Sequence, residues 1–163
     1  MRGFDGVHKD KIQSDQWNDK EPTVLLSGSY DRTVRAFDFQ APESCLGAVV
    51  ESDVEALRWD PWDSYGFYVS LENGLILNFD ARTFPSGPNN PSPSRFTNSV
   101  HGNVASVLDI DPHGSGMLVT GATHRLFAAD AWCESQGKVF STTRSPDDTL
   151  ALTAGGSAGK LQV

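Results

Sequence analysis

The chain of 163 residues lacks any apolar run of the length that a membrane-spanning helix needs, about 18 consecutive residues. Its N-terminus, MRGFDGVHKD, lacks the apolar core of a secretory signal peptide. Only two cysteines are present, Cys45 and Cys133, and their spacing is not that of a metal site. These absences predict a chain of the cytosol or nucleus, with no membrane contact and with reduced cysteines.

Positive charge is also scarce, since 13 basic residues stand against 21 acidic ones and the net charge is −8. A broad nucleic-acid interface needs a local cation at each phosphate that it contacts. The composition therefore argues against such an interface and leaves room only for limited local RNA contact. The hydrophobic content of 38% is that of an ordinary globular protein, so we expect one domain with a real core.

What the chain does contain is an internal repeat. The pair Phe37-Asp38 returns 42 residues later as Phe79-Asp80. The same shift, without a gap, superposes further pairs: Ile12 on Val54, Trp17 on Trp59, Leu26 on Tyr68, Asp31 on Asn73 and Val34 on Ile76. The pattern predicts four repeat units, the last of them truncated, at 8–38, 51–80, 101–130 and 138–163.

Each unit consists of short runs of β-branched and aromatic residues separated by Gly, Asp, Asn and Pro, and no segment has a helical period. Asn73-Gly74 is a strong hairpin signal, and Asp31-Arg32 falls at the matching turn. In the third unit we expect strands at 104–110, 117–122 and 125–130. The segment 83–100 holds four prolines and predicts a long surface loop, with a proline-motif ligand as the alternative.

A repeat of about 40 residues built of hairpins is typical of the four-stranded blades of a β-propeller. We therefore predict an all-β fold, a β-propeller with about 3.5–4 four-stranded blades present, which is a partial propeller. Closed rings have about four to eight blades. We expect the ring to close either through blades of a longer chain or through self-association with another copy or a partner.

The motifs HKDKIQSDQW (8–17) and SGSYDRTVRAFD (27–38) resemble those of WD-repeat proteins, and the resemblance covers nearly the whole chain. With LENGLILNFDAR (71–82), VASVLDI (104–110) and MLVTGA (117–122), the chain also resembles the C-terminal half of the periodic tryptophan protein 1 family. That narrower resemblance implies a nuclear or nucleolar protein that assists large ribosomal subunit assembly, with ribosome assembly factors as partners. It also implies action near chromatin at ribosomal genes.

The WD resemblance further implies a hydrogen-bonded network of a His, a Ser or Thr, a turn Asp and a Trp. In the first unit these places fall to His8, Ser27 (or Ser29), Asp31 and Phe37. Phe37 has no N–H, so the network must end before the aromatic position. Val50 and Asn73 take the His and Asp places in the second unit, and His101 in the third has no obvious Asp partner.

Four aromatic residues recur at a fixed spacing, with the members of each pair 20 positions apart: Trp17 and Phe37, then Trp59 and Phe79. We expect them to pack between neighbouring sheets, as the core aromatics of the blades. A base-stacking role would instead require exposed rings with cations beside them.

Three patterns raise other functions. His8 and Asp31 could act as a base and its orienting group, but the structural network accounts for the pair. Asp109 and Asp111 could bind a cation or could simply end a strand. The segment 154–160, AGGSAGK, approximates a phosphate-binding loop, but Ala154 and Leu161 replace residues that such a loop requires. We predict no catalytic site, no metal and no cofactor.

The expected function is therefore that of a non-enzymatic scaffold for protein–protein interactions, since propeller loops present side chains on a rigid frame. The alternative is a generic WD adaptor in a ubiquitin-ligase or chromatin complex. The candidate contact residues lie in the predicted loops: His8, Tyr30, Arg32, Glu72, Asn73, His124 and Arg125.

Overall fold

The computed structural model describes residues 6–84, 94–99 and 104–110, apart from the side chains of 42–44 and 98. From residue 111 onward it describes only the backbone of the strands within 118–128, 131–144, 151–155 and 160–162. The secondary structure of these ranges is thirteen β-strands and one 3-10 turn. None of the helical structure in them has the length and apolarity that a membrane crossing requires.

The first sheet has four antiparallel strands in the order in which they follow along the chain. They are β1 (Ile12–Trp17), β2 (Val24–Ser29), β3 (Thr33–Asp38) and β4 (Ala41–Val49). Arg32, in the turn between β2 and β3, has a left-handed backbone with φ of 62°. Gly74 occupies the matching place in the second sheet with φ of 85°, so the two turns share one geometry.

The second sheet repeats this arrangement with β5 (Val54–Trp59), β6 (Gly66–Leu71), β7 (Leu75–Asp80) and β8 (Phe96–Ser99). A 3-10 turn, Ala81–Thr83, follows β7. The prediction of a loop throughout 83–100 is therefore wrong at its C-terminal end, where β8 pairs with β7. The four prolines all precede β8, so the ladder needs no proline N–H.

The third sheet has five strands, in the order β13-β12-β11-β10-β9. They are β9 (Ala105–Ile110), β10 (Leu118–Ala128), β11 (Ala131–Arg144), β12 (Ala151–Gly155) and β13 (Lys160–Gln162). Instead of the predicted strands 117–122 and 125–130, the chain forms the single strand β10, because 123–124 contains no Gly, Asn or Asp to start a turn. The unit boundaries at 101–130 and 138–163 stay a prediction.

The sheets pack face to face, with β5 adjacent to β1 of the first sheet and to β9 of the third. The main core fills the space between the first two sheets, with Leu26, Val34, Leu57, Phe67 and Phe79 all buried. Gly28 allows the close approach, since a Cβ there would lie 2.5 Å from Val54 Cγ1. A smaller core of Ile76, Ala105 and Leu108 joins the second and third sheets. Face-to-face antiparallel four-stranded sheets are the architecture of a β-propeller, and the prediction of a partial all-β propeller is confirmed.

Candidate functional site

The turn between β2 and β3 is held by the imidazole of His8. Its Nδ1 lies 3.1 Å from Asp31 Oδ2, and its Nε2 lies 2.7 Å from Ser27 Oγ. The side chains of His8 and Asp31 are only 2% and 6% exposed. A neutral imidazole satisfies both contacts when Nδ1 donates to Asp31 and the Ser27 hydroxyl donates to Nε2. The structure thus brings together the three residues that the WD resemblance places in one network.

The Asp31 carboxylate also accepts three hydrogen bonds that the sequence pattern did not identify. The Lys9 N–H donates to it at 2.8 Å, and Thr33 donates its N–H at 3.0 Å and its hydroxyl at 2.6 Å. Ser29, the alternative to Ser27, has another role, since its Oγ accepts the Asp31 N–H at 3.0 Å and donates to Asp10 O. A turn Asp often accepts the backbone N–H two residues on, so the bond from the Thr33 N–H could have been recognised.

Burial and hydrogen bonding set the protonation of this network. Burial lowers the pKa of His8 below its ordinary value, although the neighbouring Asp31 opposes this effect. Burial alone would raise the pKa of Asp31, but the hydrogen bonds from Thr33 and Lys9, together with His8, bring it below its ordinary value. The folded chain therefore holds a neutral imidazole beside an ionised carboxylate at neutral pH.

We expect the stability of the chain to fall on mild acidification because His8 resists protonation when folded. The free side chain titrates near 6.5, so below that pH the unfolded chain takes up a proton that the folded chain does not. The contribution of His8 is fully present above this pH and is lost as the pH falls towards the lower folded pKa. The melting temperature should therefore decline between about pH 7.5 and about pH 5.5, and less steeply in His8→Gln.

The control for this measurement is Lys20→Gln, which changes an exposed cation far from the network. Its melting temperature should follow the wild-type pH profile. Parallel profiles for His8→Gln and the wild type would contradict a neutral, buried His8.

No such network forms among the described residues of the second sheet. Asn73, at the position that matches Asp31, is exposed, and its Oδ1 accepts one hydrogen bond, from the Leu75 N–H at 3.2 Å. Val50 is a buried apolar residue. His101 lies outside the described residues.

Three of the four recurring aromatic residues, Phe37, Trp59 and Phe79, are buried. Trp59 packs on the first sheet and donates its Nε1–H to Gln16 O at 3.1 Å. The expectation that Trp17 packs between the sheets is wrong. Trp17 is 47% exposed, and its ring centroid lies 4.9 Å from that of Phe39. Gln16 points towards the second sheet, so Trp17, the next residue along the strand, faces away from it.

The candidate contact residues of the first two units lie at one end of the first two sheets. Arg32 Nε lies 3.3 Å from Asp53 Oδ1, and the Glu72 N–H donates to Asp53 O at 2.9 Å. Lys11 lies over the Tyr30 ring. Burial and the nearby carboxylates, Glu55 first among them, raise the pKa of Tyr30. We call this group, Tyr30, Arg32, Glu72 and Asn73, the loop surface.

The other three candidate contact residues are not part of the loop surface. His8 is buried in the network and offers no contact surface, which corrects its place among the loop residues. His124 and Arg125 lie within the strand β10, and their side chains are outside the described part of the chain. In the described ranges no group of three or more His, Cys, Asp or Glu is placed to hold a metal ion. Asp111, the predicted partner of Asp109, is not described.

No family model matches this chain. It is 31% identical over 127 residues to an uncharacterized WD repeat-containing protein of Schizosaccharomyces pombe, a match covering 70% of this chain and 23% of that protein. It is 28% identical over 115 residues to the DDB1- and CUL4-associated factor 13 of Xenopus laevis, with coverages of 70% and 24%. It is 22% identical over 122 residues to the histone acetyltransferase type B subunit 2 of Candida glabrata, with coverages of 75% and 27%. The chain thus spans about a quarter of the length of these curated relatives.

Proposed function

We propose that this chain, a partial WD-repeat β-propeller whose relatives are WD-repeat proteins, is part of a non-enzymatic scaffold that binds other proteins. The observation that carries the proposal is the loop surface, where turns of two neighbouring sheets present Tyr, Arg, Glu and Asn side chains together. Loops on a rigid sheet frame are the usual place for binding residues.

The chemistry of the loop surface suits a protein partner. Tyr and Arg are the residues that contribute most often to binding energy at protein interfaces. The Arg32 side chain is 63% exposed, and its ion pair with Asp53 lies in solvent, where such a pair contributes little. Arg32 is therefore free to turn to a carboxylate of a partner, while Glu72 and Asn73 offer acceptors beside it.

The partners that we propose are ribosome assembly factors in the nucleus or nucleolus, with a role in large ribosomal subunit formation. The support is the resemblance of the sequence motifs of this chain to those of the periodic tryptophan protein 1 family. A second candidate is an adaptor in a ubiquitin-ligase or chromatin complex. It is favoured by the names of two relatives, a DDB1- and CUL4-associated factor and a histone acetyltransferase subunit.

Affinity purification of the tagged full chain from cells tests the proposal and the loop surface together. We expect pre-ribosomal proteins to co-purify with the wild type and to be recovered about tenfold less with Arg32→Glu or Tyr30→Ala, a loss of about 1.4 kcal/mol in binding. Asp15→Lys reverses an exposed charge on β1, outside the loop surface, and should behave as the wild type.

Each alternative gives a different result. A partner set containing DDB1 and CUL4 proteins or histones, without ribosome assembly factors, would replace the first candidate by the second. Equal recovery from Arg32→Glu and Asp15→Lys would remove the loop surface from the proposal. A chain that captures no protein from any compartment would contradict the scaffold itself.

A further inference from the structure

A cleft of about 310 Å³ opens between the first two sheets, at the end opposite the loop surface. The β-strands of both sheets supply its apolar walls, which include Val24, Ala36, Leu46 and Trp59, with Tyr65 beside them. Its polar groups are few: Asn18, Glu21, Asp38, Ser64 and Arg82. An apolar cleft of this size with a few polar groups is the usual form of a ligand-binding site.

Hydrogen bonds between the two sheets hold the cleft open. Asn18 donates its side-chain N–H to Ser64 O at 2.9 Å, across the mouth. The Trp59 backbone N–H donates to Gln16 Oε1 at 2.8 Å, and its indole N–H donates to Gln16 O at 3.1 Å. These bonds fix the spacing of the walls, so a ligand would find the cleft already formed and would bear little ordering cost.

The cleft has an effective negative charge, because among its described lining residues the one cation is paired and the carboxylates are not. Its cation, Arg82, is already engaged, since Nε and a terminal nitrogen donate to the Asp80 carboxylate at 3.0 and 2.6 Å. The Arg82 guanidinium also lies over the Tyr65 ring, 4.6 Å from its centroid. These hydrogen bonds, with others from Arg95, hold the pKa of Asp80 well below its usual range, so the carboxylate stays ionised and keeps Arg82 paired.

The two carboxylates of the cleft are not neutralised in this way. Within the described ranges, neither Glu21 nor Asp38 has a cationic side chain within ion-pair distance. Asp38 Oδ1 accepts the Gln40 N–H at 2.9 Å, and Glu21 is exposed. A cation brought to this site would therefore meet two available carboxylates next to an apolar wall.

We propose that this cleft binds a short segment of a partner protein, which inserts one large apolar side chain, Leu or Phe, between the sheets and sets an adjacent Lys or Arg against Glu21 and Asp38. This inference rests on the proposed scaffold function and names the chemistry of one docking segment. The apolar side chain gains affinity by leaving water, and the cation adds orientation and selectivity.

The test uses a displayed library of random dodecapeptides selected against the full chain. We expect the enriched peptides to share Leu or Phe next to Lys or Arg. A fluorescently labelled copy of the most enriched peptide should bind at least about tenfold more weakly to Glu21→Lys than to the wild type. Glu51→Lys, the same change at an exposed position outside the cleft, should leave the affinity unchanged.

A variant that fills the cleft provides a second test of peptide binding. Ala81 also lines the cleft, so Ala81→Leu should abolish binding of the same peptide by occupying the cleft, and circular dichroism would show whether the variant is folded. Enrichment of acidic peptides, or equal affinity of Glu21→Lys and the wild type, would overturn the inference. If Glu21→Lys still recovers the partners that Arg32→Glu loses, the scaffold stands and the role of the cleft is rejected.

Discussion

Phe67→Ala is expected to lower the free energy of unfolding by about 3–5 kcal/mol, because it empties the centre of the aromatic core. Phe67 is fully buried, and its ring centroid lies 5.5 Å from that of Trp59, 5.6 Å from Phe79 and 5.4 Å from Phe84. The substitution removes the apolar transfer energy of the ring and leaves a cavity bounded by three other rings, which cannot all close upon it. Urea unfolding followed by circular dichroism measures the loss.

The matched control is Phe96→Ala, the same change at a ring that is 43% exposed on β8. We expect it to cost about 1 kcal/mol or less, since a ring with 43% of its area in water leaves no closed cavity when it is removed. Similar losses for the two variants would mean that the packing between the first two sheets does not dominate the stability of the chain.

The aromatic core also shows how far the repeat could predict this fold. The 42-residue shift places Trp59, Phe79 and the turns at Arg32 and Gly74 correctly, because strand and turn positions recur with the repeat. It fails for Trp17, because burial depends on the sheet that packs against each face and not on the position within the repeat. The 42-residue repeat does not predict which sheet packs against a given face.

The same limit applies to the strands and to the cleft. β8 follows a proline-rich segment, and its pairing with β7 is a tertiary contact that no local pattern announces. β10 continues through the predicted hairpin because the third unit has no Gly, Asn or Asp at 123–124. The cleft depends on the spacing between two sheets, set by Gln16 and Asn18 through bonds to residues more than 40 positions away. Sequence spacing predicts the hairpins well and the contacts between sheets poorly.

Asp31→Ala is expected to cost about 3–5 kcal/mol, because it removes the acceptor that several hydrogen-bond donors of a buried network share. Its carboxylate accepts hydrogen bonds from His8, from the Lys9 N–H and from both donors of Thr33. Alanine would leave these donors without their acceptor, and a buried donor left unsatisfied costs about 1–3 kcal/mol. The measurement is again the urea midpoint at neutral pH, where Asp31 is ionised.

The repeat supplies the control, since Asn73 occupies the same turn position in the second sheet, is exposed, and accepts the Leu75 N–H. Asn73→Ala should cost about 1 kcal/mol or less, because an exposed turn can replace that bond with water. A large difference between the two variants would show that the turn Asp contributes through its buried partners and not through its position in the turn. Equal losses would mean that the network adds nothing to an ordinary hairpin. In that case the turn of the second sheet, which forms without a histidine, would show that such a hairpin is stable without the network, and His8 would be dispensable for stability.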